Sequence, residues 1–374
     1  MRSAWLGLAL VLLSSPALGH KASDSYLSLT LDGARISGQW DIALRDLDYA
    51  LSLDTNDDGA LTWGEVRTQH AEIAAYARSH LSLAMAGDPC PMEVTGQLID
   101  QHSDGAYSVL RFHATCPHRA DRLSVDYRLL FDLDPQHKGL LRLSQGQYTQ
   151  SAVFSPQDPV RSFVSGSTNL WRSLMDYAGS GVWHIWRGFD HILFLIALLL
   201  PAVLQRAQDG WRGVSHWRPA LIDTLKIVSA FTVAHSITLS AATLGLAHLP
   251  SRLVESVIAA SVILAALNNI FPLLPAQRWV VAGVFGLIHG FGFASVLTDL
   301  GLPPGALASA LVGFNLGVEL GQLALVSVFL PLAYALRASI FYRYVLRIAG
   351  SVIVAGLAGV WLVERAFNLR LLAL

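Results

Sequence analysis

Six apolar stretches in the second half of the chain constrain its fold more than any other feature of the sequence. Each has about the 20 residues that a helix needs to cross a bilayer. Within hydrocarbon, only helices and closed barrels satisfy their own backbone polar groups. The sequence therefore predicts an all-α polytopic membrane domain of about six transmembrane helices within residues 182–374. The expected spans are 182–203, 222–246, 253–273, 279–299, 307–335 and 345–364.

The N terminus and the loop charges predict how these helices are oriented. Residues 1–19 have the pattern of a signal peptide, with Arg2, a short apolar core and a small-x-small cleavage site ending at Gly19. Cleavage leaves the mature N terminus outside, and most loop arginines then lie on the cytoplasmic side, as the positive-inside rule requires. We expect a multi-pass protein of a bacterial-type inner membrane with a periplasmic N-terminal domain. The alternative is an uncleaved anchor helix.

Residues 20–155 are more polar and show the two-residue alternation of half-buried strands. The alternation predicts a mainly-β, sandwich-like extracytoplasmic domain with a helical insertion between its early strands. A linker and an interfacial helix (Asn169 to Tyr177) are expected over 156–181. Strand signals occur at 24–44, 92–99, 107–115, 122–132 and 139–144, and helical patterns at Arg45 to Leu53 and Trp63 to Met85.

The only two cysteines, Cys90 and Cys116, lie in this N-terminal domain. Export would place them in an oxidising compartment, so we expect a disulfide between them. Two cysteines are too few for a cysteine-based metal site.

Residues 54–65 match the pattern D-x-[DN]-x-[DN]-G-x5-E of a calcium-binding loop throughout. The loop resembles an EF-hand loop, with Gly59 at the sharp turn, and we expect one structural calcium ion there. The alternative is a solvated acidic turn. The expected oxygen ligands come from Asp54, Asn56, Asp58, Ala60 (its backbone carbonyl), Thr62 and Glu65.

The apolar spans contain several ionisable side chains, which are costly in hydrocarbon and usually functional. From the rise of about 1.5 Å per helical residue, side chains on four different spans fall in one central-to-outer layer of the membrane. Imidazole and carboxylate together suit divalent transition metals such as nickel, cobalt, copper or zinc. The alternatives are interhelical hydrogen bonding and a proton relay. The expected metal or transport site comprises His184, Asp190, His191, His235, His289, Asn315 and Glu319.

The segment His184-Ile185-Trp186-Arg187-Gly188-Phe189-Asp190-His191 resembles the signature His-Pro-x-x-Gly-x-Asp-His of the HupE/UreJ family. The resemblance covers about 180–374 and includes the segments around His235, His289 and Glu319. The segment Ala234-His235-Ser236 also resembles the Gly-His-Ser element of nickel/cobalt permeases. The resemblance implies nickel or cobalt uptake, and the leading domain is similar to that of a longer subgroup. The chain departs from the family pattern at Ile185, which replaces proline, and at Phe293, which replaces the second histidine of His-Gly-x-x-His.

Three functions are compatible with these features. The first is a permease in which His184 captures a metal ion from outside and the deeper residues coordinate it. The second is an intramembrane metal-dependent hydrolase with Glu319 as general base, although the H-E-x-x-H pattern is absent. The third is a calcium-binding sensor or assembly protein with a protein partner on the extracytoplasmic side. A nucleic-acid partner is not expected, because the formal net charge is −1.

Cleavage after Gly19 would make His20 the first residue of the mature chain. Its free amine and imidazole would then chelate copper or nickel with two nitrogens from one residue. The alternative is that His20 merely follows the cleavage site.

Overall fold

The computed structural model describes residues 24–102, 105–166, 170–207, 210–271 and 277–367. The expected signal peptide and His20 lie outside these residues. The N-terminal region is a mixed, sheet-rich domain, and the C-terminal part is helical. The strands of the N-terminal domain are β1 (Asp24–Asp32), β2 (Arg35–Ala43), β3 (Leu81–Met85), β4 (Asp88–Pro89), β5 (Met92–His102), β6 (Gly105–Thr115), β7 (Arg122–Tyr127), β8 (Lys138–Gln145), β9 (Tyr148–Phe154) and β10 (Val160–Val164).

These strands form two sheets that share one apolar core. The larger sheet has the order β5-β6-β2-β1-β8-β9, with β1 and β8 parallel and the other pairs antiparallel. The smaller sheet has the order β10-β7-β3-β4 and is antiparallel. Leu27 and Leu29 of the larger sheet and Leu83 and Val125 of the smaller one are buried in the same cluster. A disulfide joins Cys90 to Cys116 within this core.

Three helices lie between β2 and β3, where the helical insertion was expected: α1 (Leu44–Leu51), α2 (Trp63–Thr68) and α3 (His70–Ser79). The helix expected to run to Met85 ends at Ser79, because β3 follows at once and pairs with β7. The strand signal over 122–132 likewise ends at Tyr127.

The region expected to be a linker contains β10, which pairs with β7. Its sequence hides the usual alternation, because Arg161 and Phe163 are buried while Val160 and Val164 are exposed. A charged residue on the buried face and valines on the exposed face invert the pattern by which strands are recognised.

Among the residues that the structure describes, the C-terminal part has five helices that are long and apolar enough to cross a membrane, and six if one bent pair forms a single span. Together with the short hairpin β11 (Leu204–Ala207) and β12 (Gly210–Gly213), these are the elements of a multi-pass membrane domain. They are α4 (Leu170–Arg187) bent into α5 (Phe189–Leu199), α6 (Trp217–Thr243), α7 (Ser251–Asn268), α8 (Arg278–His289) continued by a 3₁₀ turn (Gly290–Phe293) and α9 (Ala294–Asp299), α10 (Pro304–Leu336), and a π-helical turn (Phe341–Leu346) continued by α11 (Arg347–Phe367).

The first span differs from its expected bounds of 182–203. Its helix starts at Leu170, within the segment expected to be a linker and interfacial helix, and bends by 70° at Gly188 before continuing as α5. A Cβ atom on Gly188 would lie 2.7 Å from the carbonyl oxygen of His184 and 2.8 Å from Nδ1 of His191. Only glycine therefore fits at the bend. Asn169, the first residue of the expected interfacial helix, lies outside the described residues.

Glycines also bring the long helices into direct backbone contact. A Cβ atom on Gly317 of α10 would lie 2.0 Å from the carbonyl oxygen of Ala178 of α4, and one on Gly313 would lie 2.4 Å from that of Leu174. A Cβ atom on Gly286 of α8 would lie 2.5 Å from the carbonyl oxygen of Phe231 of α6. Small residues at helix interfaces permit such close packing in membranes. Here they draw together the helices that carry the candidate site.

The two parts of the chain are packed against each other. Arg142 of β8 donates a 2.7 Å hydrogen bond to the carbonyl oxygen of Gly301, in the loop between α9 and α10. His102 of β5 lies between two carboxylates, 3.3 Å from Asp41 in β2 and 3.3 Å from Asp299 at the end of α9. Burial alone lowers the pKa of His102, but the hydrogen bonds and negative charges of Asp299 and Asp41 outweigh it and raise the pKa to about 10.

Candidate metal site

Four histidines from four helices converge where α4 bends into α5. His184 lies in the last turn of α4, His191 in the first turn of α5, His235 in α6 and His289 at the end of α8. The ring centroids of His184 and His191 are 4.5 Å apart, and those of His191 and His289 are 5.3 Å apart. The bend at Gly188 lets the two histidines of the first span face each other while lying on different helices.

These side chains form two groups with the spacing of metal ligands. One ligand atom from each of His184, His191 and His235 lies within 4.8 Å of the others, and the same holds for Asp190, His191 and His289. His191 belongs to both groups. A first-row transition metal bound by imidazole needs nitrogens at about 2.0–2.1 Å, so nitrogens within 4.8 Å of one another can share one ion.

Hydrogen bonds define which ring nitrogen carries the proton in three of the four imidazoles. Nδ1 of His191 lies 2.9 Å from a carboxylate oxygen of Asp190, which only accepts. Nδ1 of His235 lies 3.2 Å from Oδ1 of Asn315, whose amide nitrogen donates to the carbonyl of Leu311 and so fixes Oδ1 as the acceptor. In both rings the proton is on Nδ1 and the lone pair is on Nε2.

The third imidazole uses the opposite nitrogen. Nε2 of His289 lies 3.1 Å from Oγ of Ser261, and that hydroxyl donates its hydrogen to the carbonyl of Ile258. Ser261 therefore accepts from His289 and leaves the lone pair on Nδ1 of the ring. Metal-ligating histidines are held in this way, by a hydrogen bond from the ring nitrogen that does not bind the metal.

Four ring nitrogens, including the three that carry assigned lone pairs, are buried and have no hydrogen-bond partner within the described ranges. Relative exposures of 5% for His191, 0% for His235 and 1% for His289 place these rings out of contact with bulk solvent. Buried polar atoms without a partner are rare in proteins and call for an explanation. The atoms are Nε2 of His184, His191 and His235, and Nδ1 of His289.

Aromatic rings enclose the cluster. The ring of Phe231 lies 5.3 Å from that of His289 and 5.9 Å from that of His235. Phe293 stacks on Phe314 at 4.1 Å, and both rings lie within 5.2 Å of His184. Phe293, at the position where the family pattern has a second histidine, thus contributes an apolar wall beside His184 in place of a ligand.

The polar side chains of α10 have different hydrogen-bond partners. Asn315 orients His235, as described above, whereas Glu319, one turn further along, accepts a 2.7 Å hydrogen bond from Ser229 of α6. Gln322 accepts a hydrogen bond from Thr232 of α6. Glu319 belongs to neither ligand group. The structure thus brings together His184, Asp190, His191, His235 and His289, with Asn315 beside them, and places Glu319 next to this cluster along the α6–α10 interface.

Ser261 is a site residue that the sequence analysis missed. A serine that bonds its own helix backbone is common in apolar helices, so nothing in the sequence marks it. Only the packing of α7 against α8 shows that it orients His289.

The loop with the calcium pattern connects α1 to α2 and is already folded into a ring of hydrogen bonds. Backbone N–H groups of Gly59, Asp58 and Ala60 donate to Asp54 (2.8 Å), Asn56 (3.0 Å) and Asp58 (2.8 Å), respectively. Gly59 has a φ of +77°, which gives the turn its left-handed residue. Oδ1 of Asp54 is buried and has no hydrogen-bond partner among the described residues.

Glu65 closes this loop from the first turn of α2. Its two carboxylate oxygens accept hydrogen bonds from the backbone of Thr55 at 3.2 Å and from that of Thr62 at 2.9 Å. Hydrogen bonds from the backbone and hydroxyl of Thr62, and then from Thr55, lower the pKa of Glu65. The carboxylate is therefore charged near neutral pH and lies over the loop.

Comparison with known proteins identifies the membrane part. The model of the HupE / UreJ protein family matches residues 161–365, which is more than half of the 374-residue chain. The match includes all four helices of the histidine cluster and excludes most of the N-terminal domain. A search of the curated proteins found no match.

Proposed function

The chain belongs to the HupE/UreJ family, and from that premise we propose that it is a membrane permease for a divalent transition-metal ion. One observation carries the proposal. Three imidazoles in the membrane domain have their protons committed to Asp190, Asn315 and Ser261, and their lone pairs point into one buried cluster without a partner. A cation that accepts nitrogen ligands, bound in either group of three, would satisfy the nitrogens of that group.

The donor set limits the choice of ion. Imidazole suits zinc, copper, iron and nickel, whereas magnesium and calcium prefer oxygen. Nickel comes first among these ions, together with cobalt, because the HupE/UreJ family is implicated in nickel and cobalt transport. His191, shared by both ligand groups, would hold the ion together with His184 and His235 on one side and with Asp190 and His289 on the other.

The orientation given by the loop charges completes the proposed route. With the N-terminal domain on the extracytoplasmic side, an ion reaches His184 first and then the group around His191. Glu319 and Ser229 lie next along the α6–α10 interface and offer a negative charge to an ion that leaves the cluster. The hydrolase alternative needs a general base beside the bound metal, and Glu319 is bonded to Ser229 instead, which favours the permease.

Uptake into proteoliposomes tests this proposal. The reconstituted wild-type protein should accumulate radiolabelled nickel or cobalt, and His191→Ala should abolish the accumulation. His248→Ala is the matched control, because His248 is exposed in the loop between α6 and α7 and should leave uptake unchanged. A wild-type protein that binds metal but never accumulates it would contradict the permease. Metal-dependent substrate turnover in detergent would instead support the hydrolase.

For the N-terminal domain, we propose that the loop over 54–65 binds one structural calcium ion. A helix on either side, a left-handed glycine at the sixth position and a carboxylate closing the loop at the twelfth support this. The unpartnered Oδ1 of Asp54 lies at the first position of the loop.

A further inference from the structure

A cavity of about 200 Å³ lies at the junction of the N-terminal domain and α4. The segment that leads into β8, together with the end of β9 and the residues after it, forms one wall, and the face of α4 from Met175 to Arg187 forms the other. The polar residues that line it include Gln136, Lys138, Arg161, Asp176 and Arg187, beside the ring of Trp183. The cavity is separate from the histidine cluster, since none of the proposed metal ligands lines it.

Two cations, Lys138 and Arg187, line this cavity. The guanidinium of Arg187 lies over the ring of Trp183, 4.5 Å from its centroid. Asp24 acts on the charge of Lys138 and Asp134 on that of Arg187, but neither carboxylate is among the residues that line the cavity. The third cation, Arg161, is different, because it is paired with Asp158 at 2.8 Å and with Asp176 at 3.0 Å. The carboxylate of Asp176 is thus paired with Arg161, and the residues that line the cavity carry more positive than negative charge.

Burial makes this excess costly. Burial lowers the pKa of Lys138; the carboxylate of Asp24 opposes this effect, and the positive charge of Arg187 adds to it. A like charge and a partly desolvated ammonium group both disfavour the charged state of Lys138. An anion in the cavity would stabilise the charged state of Lys138 against both effects.

The surface around the cavity indicates where such an anion comes from. Trp171, Met175, Trp183 and Trp186 lie along one side of α4, with exposures of 69%, 42%, 45% and 43%. Met175 and Trp183 also line the cavity. Exposed tryptophans beside basic residues are typical of the boundary between hydrocarbon and head groups. At such a boundary, the phosphate groups of lipids are the anions nearest to the cavity.

We propose that this cavity binds the phosphate group of an anionic phospholipid, with Lys138 and Arg187 holding its oxygens and the acyl chains lying over Met175 and Trp183. The planar guanidinium matches two phosphate oxygens at once, and the ammonium group supplies a second charge. Because the cavity walls come from both parts of the chain, the bound lipid links the N-terminal domain to α4.

Native mass spectrometry of the full-length protein tests this proposal with two lipids that share the same acyl chains. Phosphatidylglycerol should be retained more tightly than phosphatidylcholine. Lys138→Gln and Arg187→Gln should each weaken phosphatidylglycerol binding by about fivefold, as expected for one basic residue near a head group. Lys138→Arg keeps the charge and should bind as the wild type does. Arg111→Gln, an exposed position on β6, is the control for charge removal outside the cavity.

Each alternative outcome overturns the lipid assignment. Equal retention of the two lipids by the wild type would show that the cavity does not select an anionic head group, and this comparison needs no variant. Unchanged phosphatidylglycerol binding in a folded Lys138→Gln protein would show that the lipid binds elsewhere. If inorganic phosphate raises the melting temperature of the delipidated protein and phosphatidylglycerol adds nothing, the site takes a soluble anion.

Discussion

The two candidate metal sites of this protein treat their polar groups in opposite ways. In the N-terminal domain, Asp54, Asn56, Asp58 and Glu65 lie near the surface and accept hydrogen bonds from the backbone of their own loop. In the membrane domain, neighbouring helices orient His235 and His289, and Asp190 of the same helix orients His191. Each of the four imidazoles has a buried nitrogen without a partner among the described residues. The loop therefore keeps its shape by itself, whereas the histidine cluster has unpaired atoms that a ligand must satisfy.

This contrast shows which geometry points more strongly to a ligand. An exposed acidic loop loses little free energy when it is empty, because water and backbone N–H groups satisfy most of its oxygens, with Oδ1 of Asp54 as the exception among the described residues. A buried unpaired nitrogen loses hydrogen-bonding free energy of about 1–3 kcal/mol. The two sites should therefore differ in what their loss does, and they should be independent of each other.

The largest expected effect comes from His191, the ligand shared by both groups. Removing an orienting partner of a metal ligand already costs about 10–100-fold in metal affinity, so we expect His191→Ala to lose more than about 100-fold. Elemental analysis of the purified protein should show the transition metal lost and calcium retained. Parallel loss of calcium would mean that the substitution disturbs the whole fold, and the comparison would fail.

The next effect tests the N-terminal site in the same way. At a calcium concentration of about 100 times the dissociation constant, binding stabilises a protein by about 2.7 kcal/mol. Asp54→Ala should therefore lower the melting temperature in calcium but not in chelator, and it should leave transition-metal content unchanged. Equal losses in calcium and in chelator would show that Asp54 supports the loop only through its hydrogen bond to Gly59.

Ser261 sharpens the claim that orientation matters in the membrane site. Ser261→Ala removes the acceptor that holds Nε2 of His289, and we expect metal affinity to fall by about tenfold. Ser256→Ala on the same helix is the matched control, because its exposed hydroxyl only bonds the carbonyl of Arg252. Equal affinities of the two variants, measured by competition with a metal indicator, would contradict the tautomer that we assign to His289.

Much of this arrangement follows from the sequence, and the exceptions have physical reasons. Apolar length predicts the membrane-spanning helices, and the family comparison confirms the resemblance found in the His184–His191 segment. The helical spacing of residues in the sequence does not reveal the bend at Gly188, because His184 and His191 would share a face on a straight helix as well. The bend is visible only through the atoms that a Cβ on Gly188 would meet.

Two further features could not be predicted because they depend on distant packing. The strand Val160–Val164 buries Arg161, which pairs with Asp176 of α4. The burial of an arginine in this strand therefore depends on a partner from the other part of the chain, which the local sequence does not show. Similarly, the sequence places Glu319 in the same layer as the histidines, and the structure pairs it with Ser229 of α6. Helical rise gives the depth of a residue but does not define its partner.

The smallest expected effect concerns His102, where the two regions meet. His102 lies between Asp41 of the N-terminal domain and Asp299 of the membrane domain, and its pKa is raised from 6.5 to about 10. A raised pKa means that the stabilisation is fully present below the unfolded-state pKa near 6.5 and is lost as pH rises through about 10. We expect a contribution of only about 1 kcal/mol at neutral pH, because the burial of His102 opposes its charged form and offsets much of the attraction to the two carboxylates.

The melting temperature of the full-length protein should therefore fall between pH 7 and pH 10 by more in the wild type than in His102→Gln. His113→Gln, an exposed histidine of β6, is the control and should follow the wild type. If the wild type and His102→Gln show the same pH dependence, the contact between His102 and Asp299 does not hold the two regions together. The junction would then depend on its apolar contacts and on the bond from Arg142 to Gly301.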